Sequence, residues 1–511
     1  MALPNGYSVN TTSDDQDSDT APLLKKEVEE ITVAVPPKCC SVRCNLAVMM
    51  FFGFAVVYGL RVNLSVAMVA MVNNTGNQSI QSNISNECPV PNNSIDNSSQ
   101  SSVQPDGFPR YAWSSTTQGM LLSAFFFGYL FTQIPGGYLS GRFGGSIFLG
   151  GGVLGTAVLT LLTPLSAQLG ANWLFALRFL EGFGEGVTFP AMMAMWARWA
   201  PPLERSRLMT FSGAGSSFGA FVSLPLTGFI CHNLGWPAVF YFCGGAGCLW
   251  ALFWFILVSD EPRSHPRISD QEKNYIVTSI GPQGTAHGWS VPLRSMVFSV
   301  PLWAIIISQM CSNWSYYTLL TSLPIYMDTV LHFNIQQNSF LSALPYLGGW
   351  VFSVSSGVLA DSILERKAMS VTAVRKIFTF IGLFLPAVFL VAVGFSGCSG
   401  ALAVTFLTVS SAFGGFSAAG VFINQIDIAP RYAGILLGIT NTFGTVPGVV
   451  APIVVGYLTT DKQHLVLGWN HVFWLSGAVS AFGAIFFVIF GTGKIQSWAG
   501  TDQEAETDIC R

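Results

Sequence analysis

The chain has 511 residues, 51% of them hydrophobic and only 10% charged, with a formal net charge of −3. Soluble domains carry about a quarter charged residues, so an ordinary soluble enzyme is excluded, and the near-neutral balance gives no reason to expect a nucleic-acid partner. A mean hydropathy of +0.50 is that of a polytopic membrane protein in contact with a lipid bilayer.

Residues 1–43 are polar and acidic, with no basic stretch leading into a short apolar core, so no cleavable signal peptide is expected and this tail is read as cytosolic. Apolar windows of membrane-crossing length then fall near 45–71, 117–139, 146–166, 172–196, 208–230, 237–258, 300–326, 339–360, 375–394, 400–425, 433–458 and 471–491. The expectation is an all-α membrane protein of twelve transmembrane helices. Six lie in residues 44–258 and six in 300–491, joined by a cytosolic loop over 259–299 and followed by a cytosolic tail over 492–511. Such a 6+6 plan is that of a transporter built from two halves around a central cavity.

Basic residues fix the orientation. Of the 23 Lys and Arg residues, Arg61 and Arg178 fall inside spans, and Arg110 and Lys462 alone fall in the loops assigned to the lumen. The lumenal loop over 72–111 carries five glycosylation sequons, at Asn73, Asn77, Asn83, Asn92 and Asn97. Cys88 in that loop and Cys398 in a later lumenal loop are candidates for a bridge. Most of the other cysteines lie in spans or beside the cytosolic membrane face, so there is no disulfide scaffold.

After span 2 comes Gly137-Tyr-Leu-Ser-Gly141-Arg142-Phe-Gly144, and after span 8 Gly357-Val-Leu-Ala-Asp361, which read as corresponding loops of a repeat. Glycine strings such as Gly150-Gly-Gly-Val-Leu-Gly155 lack the strand context of a nucleotide site and are assigned to close helix packing. No cofactor is expected, and no metal-ligand spacing or nucleophile–base pattern stands out.

The chemistry concentrates in two arginines. Arginine at a helix centre costs about 2.5–3.5 kcal/mol on the insertion scale, so each should face a wet cavity or an anion. In span 4, Arg178, Glu181 and Glu185 fall within about a 60° sector of one helix face at 100° per residue. Arg178 and Glu181 can pair, whereas Glu181 and Glu185 would repel if both were ionised, so one of them should hold a proton. That is what proton coupling requires; an ion-pair network that only locks helix packing is the alternative. In span 1, Arg61 stands among Tyr58, Asn63 and Ser65 with no acid in the same span, which makes a substrate carboxylate a reasonable partner. Span 7 adds Asn313 and Tyr317 within Ser312-Asn-Trp-Ser-Tyr-Tyr317, and span 2 adds Tyr129. Hydroxyl and amide groups beside aromatic faces suit a polyhydroxylated organic acid.

Several segments carry a resemblance to a known family. Leu60-Arg-Val-Asn-Leu-Ser-Val, Gln133-Ile-Pro-Gly-Gly-Tyr138, Glu181-Gly-Phe-Gly-Glu-Gly-Val-Thr-Phe-Pro-Ala191, Asp427-Ile-Ala-Pro-Arg-Tyr-Ala-Gly434 and Leu437-Gly-Ile-Thr-Asn-Thr442 resemble the vesicular and lysosomal organic-anion transporters of the major facilitator superfamily. The resemblance implies export of sialic acid and other acidic sugars from the lysosome with a proton, together with potential-driven vesicular uptake of aspartate or glutamate. It assigns Arg61 to substrate binding, and Glu181, Glu185 and Arg178 to proton coupling. It makes Asp19-Thr-Ala-Pro-Leu23-Leu24 an acidic dileucine signal read by clathrin adaptors, and implies a monomer in the lysosomal membrane, with synaptic vesicle or plasma membrane as further locations. The chain departs from the family pattern at Gly141, where an acid is usual, at Met193 for a histidine and at Gly213 for a tyrosine. Ser312 stands where vesicular glutamate transporters carry an arginine. Glutamate, nucleotide or phosphate transport are the alternatives within the family, and an anion channel or a non-transporting anion sensor those outside it.

Overall fold

The computed structural model describes residues 41–72, 108–201, 204–280, 292–429, 432–461 and 464–499. Asp19, Leu23, Leu24, the five sequon asparagines and Cys88 lie outside the described residues. Among the described residues the fold is helical, and strand pairing is limited to an isolated parallel bridge between Val72 and Tyr111.

The first half comprises α1 (Val42–Met71), α2 (Ser115–Phe143), α3 (Gly145–Leu161) with α4 (Thr163–Leu169), α5 (Ala171–Glu185) with α6 (Thr188–Trp199), α7 (Arg205–Leu234) and α8 (Trp236–Leu257). Two short helices, α9 (Asp270–Ile280) and α10 (Leu293–Val297), lead to the second half. It comprises α11 (Val300–Thr329), α12 (Ile335–Glu365), α13 (Val371–Val393), α14 (Gly400–Gly414), the short α15 (Asn424–Ile428), α16 (Ala433–Leu458) and α17 (Leu465–Phe490).

Among the described residues nine helices are long and apolar enough to cross a bilayer, and the pair α3 and α4, bent by 48°, makes a tenth. The fourth and seventh expected spans fall short for a shared reason. α5 and α6 are separated by a turn at Gly186 and Val187 and carry Arg178, Glu181 and Glu185, while α11 is 30 residues long but contains the polar run Ser312 to Tyr317. Polar content of this kind belongs to an internal site rather than a lipid-facing wall.

Small residues set the helix spacing. A Cβ at Gly182 would meet the Phe125 carbonyl, and one at Gly128 the Phe179 carbonyl, so α2 and α5 pack backbone against backbone. This presses the charged face of α5 toward α1, where Arg178 donates to the carbonyl oxygens of Leu60 at 3.4 Å and Arg61 at 3.2 Å.

The two halves meet through α2 and α16, α7 and α12, and α1 and α11. They are clasped on the face where α2 begins and α16 ends: Gly119 packs on the Pro452 carbonyl, Gly456 on Ser115, and the Thr116 and Thr460 hydroxyls lie 3.3 Å apart. On the opposite face the first half is tied internally. Asp260 accepts the Ser146 N–H at 2.7 Å at the start of α3, and Trp199 Nε1 donates to the Ser259 and Asp260 carbonyls at 3.1 Å. Gly141 offers no carboxylate there, and its backbone carbonyl accepts from Arg198 at 2.9 Å instead.

Candidate functional site

A cavity of about 460 Å³ lies between the halves. Its first-half wall is Tyr58 and Arg61 of α1, Tyr129 of α2, Phe189 of α6, and Ser216 and Ser217 of α7. The second half supplies Ser312, Asn313, Ser315, Tyr316 and Tyr317 of α11, Tyr346 and Ser353 of α12, Ser410 and Ser411 of α14, Asn441 of α16 and Ser480 of α17. Among the lining residues Arg61 is the only charged one, facing a wall of hydroxyls, amides and rings.

The Arg61 guanidinium is held in an aromatic sleeve, with its central carbon 4.6 Å from the Tyr58 ring, 4.7 Å from Tyr129 and 5.1 Å from Phe125. Such rings stabilise a cation without neutralising it. Neutralisation comes from Glu185, whose Oε1 accepts from Arg61 Nε at 2.9 Å and Nη2 at 2.5 Å. Glu185 Oε2 is buried and has no partner. Behind this pair, Arg178 Nη1 donates to Glu181 Oε2 at 2.6 Å and the Thr163 hydroxyl donates to Glu181 Oε1 at 3.2 Å, while the Thr160 hydroxyl, 3.4 Å from Oε1, donates to the Thr156 carbonyl at 2.8 Å. Neither glutamate lines the cavity, and both are fully buried.

The structure therefore brings together Tyr58, Arg61, Tyr129, Asn313 and Tyr317 on the cavity wall, with Glu185, Arg178 and Glu181 layered behind Arg61. Two sequence expectations are revised. Arg61 does have a carboxylate partner within the bundle; it lies on α5 rather than on α1. The expected Arg178–Glu181 pair is present, so with Arg61 on Glu185 each glutamate faces a guanidinium of its own. Asn63 and Ser65 are not among the cavity-lining residues: the Ser65 hydroxyl turns back to the Val62 carbonyl at 2.7 Å, and the Asn63 amide is fully buried beside Cys243. Asn63 sits about 200° round the helix from Arg61, which the helical period alone would have revealed.

The sequence reading missed Ser216, Ser217, Tyr346, Asn441 and the serines of α14. Paired hydroxyls inside apolar windows, Ser216-Ser217 and Ser410-Ser411, were the available signal. It also missed a clasp between the halves: Asn441 Nδ2 donates to Gln133 Oε1 at 2.7 Å, and Gln133 Nε2 donates to Thr445 Oγ1 at 3.1 Å. Met193 packs against the first-half core, and neither it nor Gly213 lines the cavity.

Comparison with known proteins fits this architecture. The chain is similar to sialin of Homo sapiens, with 50% identity over 490 residues and 96% of each chain covered. It is 38% identical to vesicular glutamate transporter 3 of Danio rerio, covering 91% of this chain and 75% of that protein. Among solved structures it superposes on a D-xylose–proton symporter with a TM-score of 0.58 at 17% identity, covering 88% of this chain and 100% of that one. A bacterial homolog of the human lysosomal transporter Spinster, inward-facing and occupied, gives a TM-score of 0.62 at 13% identity, covering 88% and 96%. The profile described as Major Facilitator Superfamily matches residues 50–452, and with the two six-span halves around one cavity it establishes that this multi-pass membrane protein belongs to the major facilitator superfamily of transporters.

Proposed function

We propose that the chain is a proton-coupled symporter that exports sialic acid and other acidic sugars from the lysosome lumen to the cytosol. The observation that carries this reading is the pairing at Arg61: the lone cation on the cavity wall is neutralised from behind by a carboxylate that has a second, unpartnered oxygen. A substrate carboxylate and Glu185 compete for one guanidinium. In the acidic lumen Glu185 takes a proton, Arg61 is left with an uncompensated charge, and an incoming carboxylate replaces the lost partner through the same two-pronged geometry. In the neutral cytosol Glu185 releases its proton and recaptures Arg61, which expels the anion. Rocking of the two halves moves the loaded site from one face to the other.

The wall opposite Arg61 fits the rest of such a substrate. Nine serines and two asparagines line the cavity, so a sugar acid has hydroxyl partners throughout, whereas a second carboxylate or a phosphate meets no second cation among the described lining residues. This favours acidic sugars over glutamate, nucleotides and phosphate, as does Ser312 on the same wall. The 50% identity to human sialin supports the same substrate class. Residence in the lysosomal membrane as a monomer, adaptor recognition through Asp19, Leu23 and Leu24, glycosylation of the 72–111 segment and potential-driven uptake of aspartate or glutamate belong to this proposal.

Reconstitution of the full chain into liposomes with an imposed pH gradient tests it. Sialic acid and glucuronate are expected to move with the proton gradient more readily than aspartate, glutamate, ATP or phosphate. No acid-driven movement of any of these anions by folded protein would sink the reading.

A further inference from the structure

We infer that Thr163, at the bend between α3 and α4, holds the Glu181 carboxylate in its charged form and so reserves the transported proton for Glu185. The inference rests on the proton-coupled reading above and assigns a positioning role to a residue that reading does not use.

The geometry starts from a stripe along one face of α3. Gly152, Thr156, Thr160 and Thr163 follow at spacings of four, four and three residues, which keeps them in register on a helix. A Cβ at Gly152 would meet the Gly184 carbonyl, so α3 lies close against α5. Thr156 Oγ1 donates to the Glu181 carbonyl at 3.1 Å, Thr160 Oγ1 donates to the Thr156 carbonyl at 2.8 Å, and Thr163 Oγ1 donates to Glu181 Oε1 at 3.2 Å. All three threonines are buried, with exposures of 0 to 1%.

The two glutamates consequently differ. Glu181 has donors on both oxygens, the Thr163 hydroxyl on Oε1 and the Arg178 guanidinium on Oε2. Glu185 has donors on Oε1 alone. Donors aimed at an ionised carboxylate favour that form over the protonated one. The charged groups in this region are Arg178 and Glu185 of α5 and Arg61 of α1; α3, α4 and α8 carry no charged residue, and α2 contributes Tyr129 beside Arg61. With Arg178 common to any variant of α4, the Thr163 hydroxyl is the adjustable part of the difference. Without it Oε1 is a buried acceptor that has lost its nearest donor, and a proton can settle on Glu181 as well.

The test uses the full chain in proteoliposomes. In the Thr163→Val variant the pH of half-maximal gradient-driven sialic acid uptake is expected to move up by about one unit, the size of one lost hydrogen bond to a charged group, and the dependence on proton concentration to steepen as a second carboxylate titrates. Thr163→Ser keeps the hydroxyl and is expected to retain the wild-type profile, which a purely structural role would not require. Thr163→Ala removes the same donor and is expected at the same raised pH, so the comparison survives if the valine variant fails to fold. A Thr163→Val or Thr163→Ala profile superimposed on that of a wild type that does couple to protons overturns the role of Thr163 alone. A wild type without acid-driven uptake overturns the coupling reading and this role together.

Discussion

Glu185 and Glu181 stand one turn apart on α5, yet only Glu185 touches the arginine that faces the cavity. Glu185→Gln keeps the shape and an amide oxygen that can accept from Arg61, but removes the titratable group. Acid-gradient-driven uptake is therefore expected to fall to background in liposomes at normal expression, while exchange of labelled for unlabelled substrate at equal pH persists; unchanged gradient-driven uptake would defeat the role. Arg61→Lys keeps a charge but loses the planar fork and the stacking on Tyr58 and Tyr129. Loss of one charge-assisted hydrogen bond, about 1.4 kcal/mol, is expected to raise the substrate KM about tenfold, read from concentration-dependent uptake. At this scale the sequence supplied the participants and one of the two pairings. The 3.6-residue period placed Arg178, Glu181 and Glu185 on one face and the three-residue spacing let Arg178 meet Glu181, but that Glu185 meets Arg61 depends on how α1 sits against α5, and no spacing within one span encodes that.

That seating depends on element-scale contacts. Gly182 lets α5 rest on the backbone of α2, and an added methyl would meet the Phe125 carbonyl. Gly182→Ala is expected to lower the yield of folded protein sharply, whereas Gly151→Ala, where nothing lies within 4 Å, is expected to leave it unchanged; membrane expression followed by size-exclusion chromatography compares them. A second contact fixes the start of α1. Glu272 of α9 accepts the backbone N–H groups of Val42 at 3.0 Å and Arg43 at 3.2 Å, the Arg43 guanidinium at 3.1 Å, and the Ser41 hydroxyl. It thereby caps a helix whose own N-cap residue, Ser41, makes no side-chain cap. Burial alone would raise the Glu272 carboxyl above its ordinary range, but these donors outweigh it and hold it lower. A depressed folded value means that the stabilisation is present at neutral pH, above the unfolded value of about 4.3, and is lost as pH falls through the folded one. Glu272→Gln is expected to lower the thermal midpoint in detergent at pH 7, with the gap to wild type closing only below about pH 4. None of this was legible in the sequence. The window 259–299 read as a polar loop, and a single glutamate in it gives no sign that it caps a helix some 230 residues earlier.

For the whole molecule, the count of spans was legible because hydrocarbon thickness fixes their length. The two spans that fail the test of apolarity, α5 with α6 and α11, carry polar residues of the site: Ser312, Asn313, Ser315, Tyr316 and Tyr317 of α11 line the central cavity, and Arg178, Glu181 and Glu185 of α5 lie behind Arg61. The clasp of the halves on one face was not legible, since it rests on contacts of glycine with backbone and on paired threonines. Alternating access requires that face to open in the other state, so anything joining the halves there limits the excursion. Cys398, in the turn between α13 and α14, is disulfide-bonded, whereas Cys44, Cys231, Cys243, Cys248 and Cys311 are free. The remaining cysteines, Cys39, Cys40, Cys88 and Cys510, lie outside the described residues. Of these only Cys88 is assigned to the same side of the membrane as Cys398, and it belongs to the first half. A Cys88–Cys398 bridge is therefore expected, and it would tether the halves through the transport cycle. Non-reducing peptide mapping should recover the two cysteines in one linked fragment, and Cys398→Ser should lower the thermal midpoint; recovery of Cys88 as a free thiol in the folded wild type would overturn the tether.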